Sequence, residues 1–346
     1  MRIAILSSSM LTSPPQNYGG LELISYNIAV GLAELGHKVV LFATNGSKVP
    51  PKGFLIEFGE PKSKVHCDWL EAERDAFNKV KDMFVDFDII LGSNWFGMEY
   101  AFKSSYPSSH VCHCHHGHLN MDWWGKSKAP FKLNLIAISK WMQKVYESQG
   151  FPSRVCYNGV NLDDYPMGKK AKRGDRLLWI GRIDSFKRPD FAIRVAQKAN
   201  LGLDIVGGTF VQDPAYLEQI KSMCDGKKIN FIPDAPHEVK LKLLQTCKAV
   251  LFTSKMGEPF GLVPIESNAC GVSVLSTIDG ATPETVKNGE TGFLCANEEE
   301  MVENLKHVDL ISAKKCRAWV EENFSVQTMS KAYLERFKEI LTGDDW

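Results

Sequence analysis

The amino-acid sequence predicts an α/β protein built from two Rossmann-like, doubly wound domains that face a central cleft. Its 346 residues exceed one typical domain, since a domain usually holds roughly 100 to 200 residues. Short runs rich in β-branched residues alternate with longer amphipathic segments, which is the pattern of βαβ units. The alternation stops at a polar stretch near the middle of the chain and then restarts. Two parallel sheets covered by helices follow from this pattern.

The first predicted domain spans residues 1–160 and opens with a βαβ unit. Here a strand at 2–6 leads into a helix at about 20–35, which returns to a strand at 38–42. The same periodicities then predict a helix near 68–84, strands at 88–91, 109–114 and 135–138, and a helix from Ser139.

The second predicted domain spans residues 176–324 and follows a linker at 161–175, which contains Pro166, Gly168 and a basic stretch. Its strands are predicted at 176–180, 203–206, 229–232, 249–252 and 273–275, with helices beginning near Arg188, Pro214, Pro236 and Pro264. Ligands of doubly wound sheets bind beyond the carboxyl ends of the strands, so we expect the active site at that edge, in the cleft.

The composition excludes several classes of protein. Hydrophobic residues make up 44% and charged residues 24% of the chain, which argues against disorder, collagen-like repeats and disulfide-stapled mini-proteins. Lys plus Arg equals Asp plus Glu at 41 each, so the chain has no net positive charge that would attract nucleic acid. Nine dispersed cysteines indicate reduced thiols. Since no stretch reaches the roughly 18 apolar residues of a membrane span, we expect a cytoplasmic protein.

Two segments of the second domain carry candidate binding residues. Gly181-Arg182 and Lys187 lie in a turn between a predicted strand and helix, where two cations and free helix amides would suit a diphosphate. The alternative is two solvated surface cations.

The second segment contains Glu258, Gly261 and Glu266 around the start of another predicted helix. Gly261 lets the backbone approach a ligand closely, and Glu266 could accept hydrogen bonds from a vicinal diol such as ribose. A glutamate favoured by a helix N-terminus explains Glu266 alone, but not the three residues together.

These motifs resemble those of the retaining GT-B glycosyltransferases of glycosyltransferase family 4. The resemblance rests on Gly181-Arg182 with Lys187 and on the Glu258 to Glu266 pattern within Glu-Pro-Phe-Gly-Leu. Other matching segments occur in the order that the family has, over nearly the whole chain: Tyr18-Gly19-Gly20-Leu21-Glu22, Gly36-His37-Lys38-Val39, Asn158-Gly159-Val160 and Gly289-Glu290-Thr291-Gly292-Phe293-Leu294. The family also implies that a carboxy-terminal helix in 325–346 packs back on the first domain.

The resemblance implies a role for each matching residue. Arg182 and Lys187 would contact the donor diphosphate, Glu258 the hydroxyls of the donor sugar, and Glu266 the ribose. The remaining donor-binding positions would act through backbone amides. The amides of Phe260, Gly261 and Leu262 would lie near the sugar and phosphate of the donor. Those of Gly19 and Gly20 would face the phosphate or the acceptor.

Residues 110–118 hold two Cys and five His, residue types that can bind a metal ion. Adjacent residues of a strand point to opposite faces, and no second Cys/His pair lies nearby in the sequence, so a tetrahedral site is disfavoured. The family instead implies that a His followed by Gly faces the donor sugar, which assigns His116. His115 is the neighbouring alternative.

Trp123 and Trp124 follow that strand in an aromatic and basic loop. They either cap the amino-terminal core or form a platform for the acceptor, because indole rings stack on sugars and such a loop can touch a lipid surface.

The resemblance therefore implies an enzyme, a retaining hexosyltransferase that uses a UDP- or GDP-linked sugar. Its partners would be that donor and a saccharide, lipid-linked or small-molecule hydroxyl acceptor, with no nucleic acid. No cofactor and no metal are expected, because Arg182, Lys187 and helix amides supply positive charge and we identified no Asp-x-Asp pair of the kind that holds a divalent ion over a diphosphate. A nucleotide-sugar epimerase and a non-catalytic sugar-nucleotide binding protein are the alternatives. A nicotinamide dehydrogenase is disfavoured, since residues 7–20 contain no Gly-x-Gly-x-x-Gly turn.

Overall fold

A computed structural model shows two compact units, each with its own parallel sheet. The first unit comprises Met1–Gly159 and Val326–Trp346, and the second comprises Val160–Ser325. The structure describes residues 1–16, 19–62, 67–125, 129–168, 173–209, 211 and 213–346.

The first unit contains a seven-stranded sheet in the order β3-β2-β1-β4-β5-β6-β7, in which every pairing is parallel. Its strands are β1 (Arg2–Ser7), β2 (Lys38–Ala43), β3 (Phe54–Glu57), β4 (Ile89–Ser93), β5 (Val111–His115), β6 (Leu135–Ala137) and β7 (Ser153–Val155). Its helices are α1 (Gly20–Glu34), α2 (Trp69–Val80), α3 (Glu99–Ser105), α4 (Met121–Trp124) and α5 (Lys140–Ser148), and a 3₁₀ helix at Lys81–Asp86 continues α2.

The second unit repeats this architecture with six parallel strands in the order β10-β9-β8-β11-β12-β13. Its strands are β8 (Leu177–Arg182), β9 (Leu203–Gly208), β10 (Ile229–Pro233), β11 (Ala249–Phe252), β12 (Val274–Thr277) and β13 (Gly292–Cys295). Its helices are α6 (Pro189–Lys198), α7 (Pro214–Ser222), α8 (His237–Thr246), α9 (Leu262–Ala269), α10 (Thr282–Thr285), α11 (Glu298–Asn304) and α12 (Ala313–Asn323), with 3₁₀ helices at Leu162–Asp164 and Leu305–Leu310.

The central strands are buried on both faces because helices cover both sides of each sheet. Ile3, Ala4 and Ile5 of β1 have no exposed surface, and neither do Leu177 and Leu178 of β8. In each sheet the strand order reverses between two central strands, β1 and β4 in the first and β8 and β11 in the second. These observations confirm the predicted α/β fold with two doubly wound sheets.

The last helix, α13 (Val326–Leu341), belongs to the first unit and packs against α1. Tyr333 of α13 donates a hydrogen bond from its hydroxyl to Cys114 Sγ on β5, at 2.9 Å. The side chain of Trp346 donates to the carbonyl oxygen of Leu135, also at 2.9 Å.

Several short elements were not predicted from the sequence, and others begin or end at residues other than those predicted. β3, α3, β7 and β13 are short, and short runs carry little periodicity. Of the segment 161–175, the residues that the structure describes belong to the second unit, while 169–172 lie outside the described residues. None of the described helices combines the length and apolar character that would let it cross a membrane.

Candidate functional site

The candidate site of the second unit lies where the strand order reverses, at the carboxyl ends of β8 and β11. The chain leaves these neighbouring strands in opposite directions, which opens a crevice between the two loops that follow them. The loop after β8 contains Lys187, and the loop after β11 contains Glu258. The sheet topology therefore brings together the two motifs that the sequence analysis singled out.

The turn after β8 is held by Asp184. Its Oδ1 accepts the amide hydrogens of Phe186 at 3.0 Å and Lys187 at 2.9 Å, and its Oδ2 lies 3.2 Å from Arg182 Nη2. Arg188 adopts a left-handed conformation with φ of 53° immediately before Pro189 begins α6. Arg182 remains largely exposed, with 56% of its side chain accessible.

Thr253, directly after β11, connects this turn to the sheet. Its hydroxyl oxygen lies 2.8 Å from the carbonyl oxygens of both Lys187 and Arg188. The indole nitrogen of the buried Trp179 donates to the same hydroxyl at 3.0 Å. A buried three-way contact of this kind fixes the position from which the Lys187 side chain extends.

Lys187 and Glu258 form a short ion pair, with 2.5 Å between Lys187 Nζ and Glu258 Oε2. The exposed fractions of the two side chains are only 17% and 8%. The ammonium also lies 5.9 Å from the centre of the Phe252 ring. A cation and an anion thus sit side by side, largely shielded from water, beyond the ends of two adjacent strands.

The loop after Glu258 ends at the start of α9. Gly261 precedes the helix with φ of 90°, a conformation that an L-residue with a side chain rarely adopts. Leu262 is the first helical residue, and Phe260 is buried against Phe324 with 5.7 Å between ring centres. The first amides of α9 lack helical partners by geometry, so this turn offers donors suited to an anion.

Glu266, in the same helix, accepts a hydrogen bond from the Tyr165 hydroxyl at 2.9 Å. Tyr165 is buried, and burial together with the Glu266 charge holds its pKa well above the usual value. Tyr165 therefore remains a neutral donor that orients the Glu266 carboxylate.

The first unit has its own polar cluster where its strand order reverses. Gly19 precedes α1 and Gly20 begins it, while Glu22 in the first turn accepts a hydrogen bond from the Ser8 hydroxyl at 2.5 Å. Glu22 is buried, and desolvation raises its pKa. Tyr18, which the matching segment includes, lies outside the described residues.

His115 and His116 lie in different surroundings. His116 follows β5, and its Nε2 lies 3.1 Å from the hydroxyl of Ser93, the last residue of β4. His115 is 2% exposed and packs at 5.6 Å from the Trp124 ring, with its Nδ1 3.3 Å from Nε2 of His113. His116 thus lies just beyond the carboxyl end of β5, beside the end of β4, whereas the His115 side chain packs in the core. Burial lowers the pKa of His116 to about 3.

The two tryptophans differ in their surroundings. Trp124 is 2% exposed and lies against His113, His115 and Tyr100, so it has no exposed ring face for an acceptor. Of the two alternatives, this position favours the core for Trp124 over an acceptor platform. Trp123 is partly buried and donates its indole N–H to the Phe96 carbonyl oxygen at 2.9 Å. Residues 126–128 of that loop, which include its basic residues Lys126 and Lys128, lie outside the described residues.

Some residues of the site were missed because their types are common in turns. Asp184 and Thr253 sit in loops where the sequence shows only ordinary polar residues. One Asp-x-Asp sequence was also overlooked, at Asp86-Phe87-Asp88. It precedes β4, at the amino edge of the first sheet, where Arg2 contacts both carboxylates.

Comparison with known proteins agrees with this architecture. Residues 18–164 match the family described as Glycosyltransferase Family 4, and residues 167–325 match the family described as Glycosyl transferases group 1. The D-inositol 3-phosphate glycosyltransferase of Mycobacterium sp. (strain KMS) is 29% identical over 159 residues, which are 41% of this chain and 36% of that protein. The match thus spans little more than a third of that relative's length.

Two solved structures share the whole fold. AviGT4, a glycosyltransferase involved in avilamycin A biosynthesis, superposes with a TM-score of 0.77 at 19% identity, over 100% of this chain and 99% of its own. Anabaena Alr3699/HepE in complex with UDP and glucose gives a TM-score of 0.78 at 17% identity, over 98% and 99% of the two chains. With both halves matched in order and the GT-B fold shared throughout, the chain belongs to the family 4 glycosyltransferases of the GT-B class.

Proposed function

We propose that this protein is a retaining hexosyltransferase that moves a sugar from a UDP- or GDP-linked donor to a hydroxyl acceptor. The observation that carries the proposal is the convergence of Lys187 and Glu258 at the carboxyl ends of β8 and β11. A nucleoside diphosphate sugar presents an anion and a polyol side by side. Lys187 complements the first and Glu258 the second.

The proposed roles follow from the surroundings of each residue. Lys187 and Arg182 stabilise the diphosphate as it departs, aided by the first amides of α9 after Gly261. Glu258 binds hydroxyls of the donor sugar. Glu266, oriented by Tyr165, accepts from the ribose hydroxyls.

Residues of the first unit enter the proposal through the family resemblance. Gly19 and Gly20, at the start of α1, offer backbone amides to the phosphate or the acceptor. His116, neutral because its pKa is low, orients a hydroxyl of the donor sugar. Trp123 stays a candidate acceptor contact. We further propose that the reaction proceeds without a metal ion, on the positive charge of Lys187, Arg182 and helix amides.

A nucleotide panel tests the proposal. UDP, GDP, ADP and their sugar conjugates are added singly, and the shift in the thermal unfolding midpoint is measured, since a ligand of the folded state stabilises it. The best-binding donor is then offered to a panel of saccharide, lipid-linked and small hydroxyl acceptors. Sugar transfer supports the proposal. Epimerisation of the donor would refute it in favour of a nucleotide-sugar epimerase. Binding with neither transfer nor hydrolysis would refute it in favour of a non-catalytic binding protein.

A further inference from the structure

Asp279 holds the backbone at Gly257 and Glu258 by accepting hydrogen bonds from both amides. It lies just after β12, and its Oδ1 accepts from the Gly257 amide at 2.9 Å while its Oδ2 accepts from the Glu258 amide at 2.8 Å. Both bonds join an amide to a carboxylate, and such charge-assisted bonds are stronger than neutral ones.

The same segment also holds the carbonyl side of Glu258. The amide of Ala281 donates to the Glu258 carbonyl oxygen at 2.8 Å. Gly280 has φ of 55°, and a Cβ added there would lie 2.3 Å from that oxygen. The segment 279–281 therefore clamps both backbone groups of Glu258, and only glycine fits at its centre.

Asp279 is itself fixed to the sheet. Its amide donates to Thr282 Oγ1 at 3.0 Å, and the hydroxyl of the fully buried Thr282 donates to the carbonyl oxygen of Thr277, the last residue of β12. Hydrogen bonds through Asp279 and Thr282 thus anchor Glu258 to β12. Lys187 is instead anchored to β11 through Thr253.

We infer that Asp279 is a positioning residue that sets the direction of the Glu258 carboxylate. What Glu258 binds rests on the proposed function, whereas the positioning itself does not. A displacement of about 1 Å at a group that orients a reacting substrate can cost about 100-fold in rate. Loss of Asp279 should therefore reduce the rate of transfer and the discrimination between sugar epimers, and it should leave binding of the diphosphate by Lys187 nearly unchanged.

The test compares Asp279→Asn and Asp279→Ala with the control Asp225→Ala. Asp225 precedes β10, at the amino edge of the same sheet, and its Oδ1 likewise accepts the amides of Lys227, Lys228 and Ile229. The control therefore removes a similar carboxylate–amide cluster from the same unit, away from the site.

The first readout needs no substrate and is the hydrogen exchange of the Gly257 and Glu258 amides in the intact protein. We expect exchange about tenfold faster in Asp279→Ala, and a smaller increase in Asp279→Asn, whose amide oxygen can still accept one bond. Unchanged exchange in a folded Asp279→Ala protein would overturn the inference, whether or not the protein transfers sugar.

The second readout is kinetic, with UDP-glucose and UDP-galactose as donors and UDP as the binding probe. We expect kcat to fall about 10- to 100-fold, the preference between the two epimers to shrink, and Kd for UDP to change less than about twofold. Asp225→Ala should move none of these. An equal loss of UDP affinity and kcat, or wild-type kcat despite faster exchange, would overturn the positioning role. Failure of the wild type to bind or use any nucleotide sugar would instead refute the proposed function, and the exchange measurement would still decide the inference.

Discussion

The Lys187 ammonium and the Glu258 carboxylate lie 2.5 Å apart, although 71 positions separate them in the sequence. Each neutralises the other, and little of either side chain is exposed. A donor diphosphate would offer Lys187 a second anion and would allow Glu258 to accept from sugar hydroxyls. The ion pair keeps both of these largely buried groups hydrogen-bonded.

The proposed phosphate contact predicts that Lys187→Ala weakens nucleoside diphosphate binding. Loss of one hydrogen bond to a charged group costs about 1.5 to 3 kcal/mol, or about 10- to 100-fold in Kd. Arg182→Ala should cost less, because its more exposed side chain is screened by water. Titration calorimetry with the diphosphate and with the bare nucleoside checks this, and Lys221→Ala on α7 serves as an exposed-lysine control. Equal losses for both ligands would rule out a phosphate role.

Glu258→Gln should abolish most sugar transfer and preserve most diphosphate affinity. Gln keeps the size of the side chain, but it lacks the charge that strengthens hydrogen bonds to sugar hydroxyls as the transition state forms. We expect kcat to fall by at least about 100-fold, the size of effect seen when one transition-state contact is removed. Glu290→Gln, at an exposed glutamate of the same unit, is the matched control. Near-wild-type turnover in a folded Glu258→Gln protein would refute the assignment.

Chelation should leave the activity largely intact. The proposed leaving group is neutralised by Lys187, Arg182 and helix amides, so a divalent ion has no assigned task. Activity is measured after dialysis against EDTA and again after addition of Mg²⁺ or Mn²⁺. A strict and reversible requirement for either ion, or stoichiometric zinc in the purified protein, would contradict this expectation. Residues 112–118 would then again be a candidate metal site.

The sequence predicted the parts of this site that depend on unusual residues in a fixed order. Lys187, Glu258 and Gly261 stand in motifs of the family, and alternating strands and helices predict that the loops carrying them share one edge of a sheet. The pairing of Lys187 with Glu258 could not be predicted from the sequence, because it depends on β8 lying beside β11. Local periodicity does not encode such a long-range relation.

The supporting residues were harder to predict for a different reason. Asp279 and Thr253 act through backbone groups of their neighbours, and Asp and Thr in loops usually make only local turns. For Trp124 the sequence left two alternatives open, a place in the core and a binding surface, since it is an aromatic residue in a polar loop. Packing of β5 and α3 side chains, which the sequence did not reveal, places it in the core.

A buried glutamate in the first unit predicts a distinctive pH dependence of stability. Glu73 is 3% exposed, its two carboxylate oxygens accept from the Trp95 amide, and burial raises its pKa to about 8. Between the unfolded-state value of 4.5 and about 8 the folded state binds more protons than the unfolded one, so the free energy of unfolding falls as pH rises through this window.

Glu73→Gln should remove that slope, since Gln stays neutral. Urea unfolding at pH 5 and pH 8 should show the wild type losing more stability than the variant on going to the higher pH, by a few kcal/mol. Glu71→Gln, at an exposed glutamate of the same helix, should keep the wild-type slope. Parallel pH profiles for the wild type and Glu73→Gln would show that Glu73 is already ionised in the folded protein.

The final prediction concerns stereochemistry. An inverting transferase needs a base on the face opposite the leaving group, whereas in a retaining enzyme the departing phosphate can take the proton of the acceptor on the same face. Lys187 and Arg182 serve such a departure, because they stabilise the phosphate as the sugar becomes oxocarbenium-like.

Glu22 and Asp122 are two carboxylates of the first unit that could in principle act as a base. Glu22 is buried, its Oε1 already accepts from Ser8, and desolvation raises its pKa, which favours the neutral carboxyl that cannot take a proton. Asp122 is exposed in the short helix α4. We therefore expect an α-linked donor to give an α-linked first product, as followed by proton NMR of the anomeric signal. Neither Glu22→Gln nor Asp122→Asn should change that outcome, although Glu22→Gln can lower the rate by disturbing the start of α1. A β-linked first product would refute the retaining mechanism, and a β-product lost in either variant would identify the base that the proposal omits.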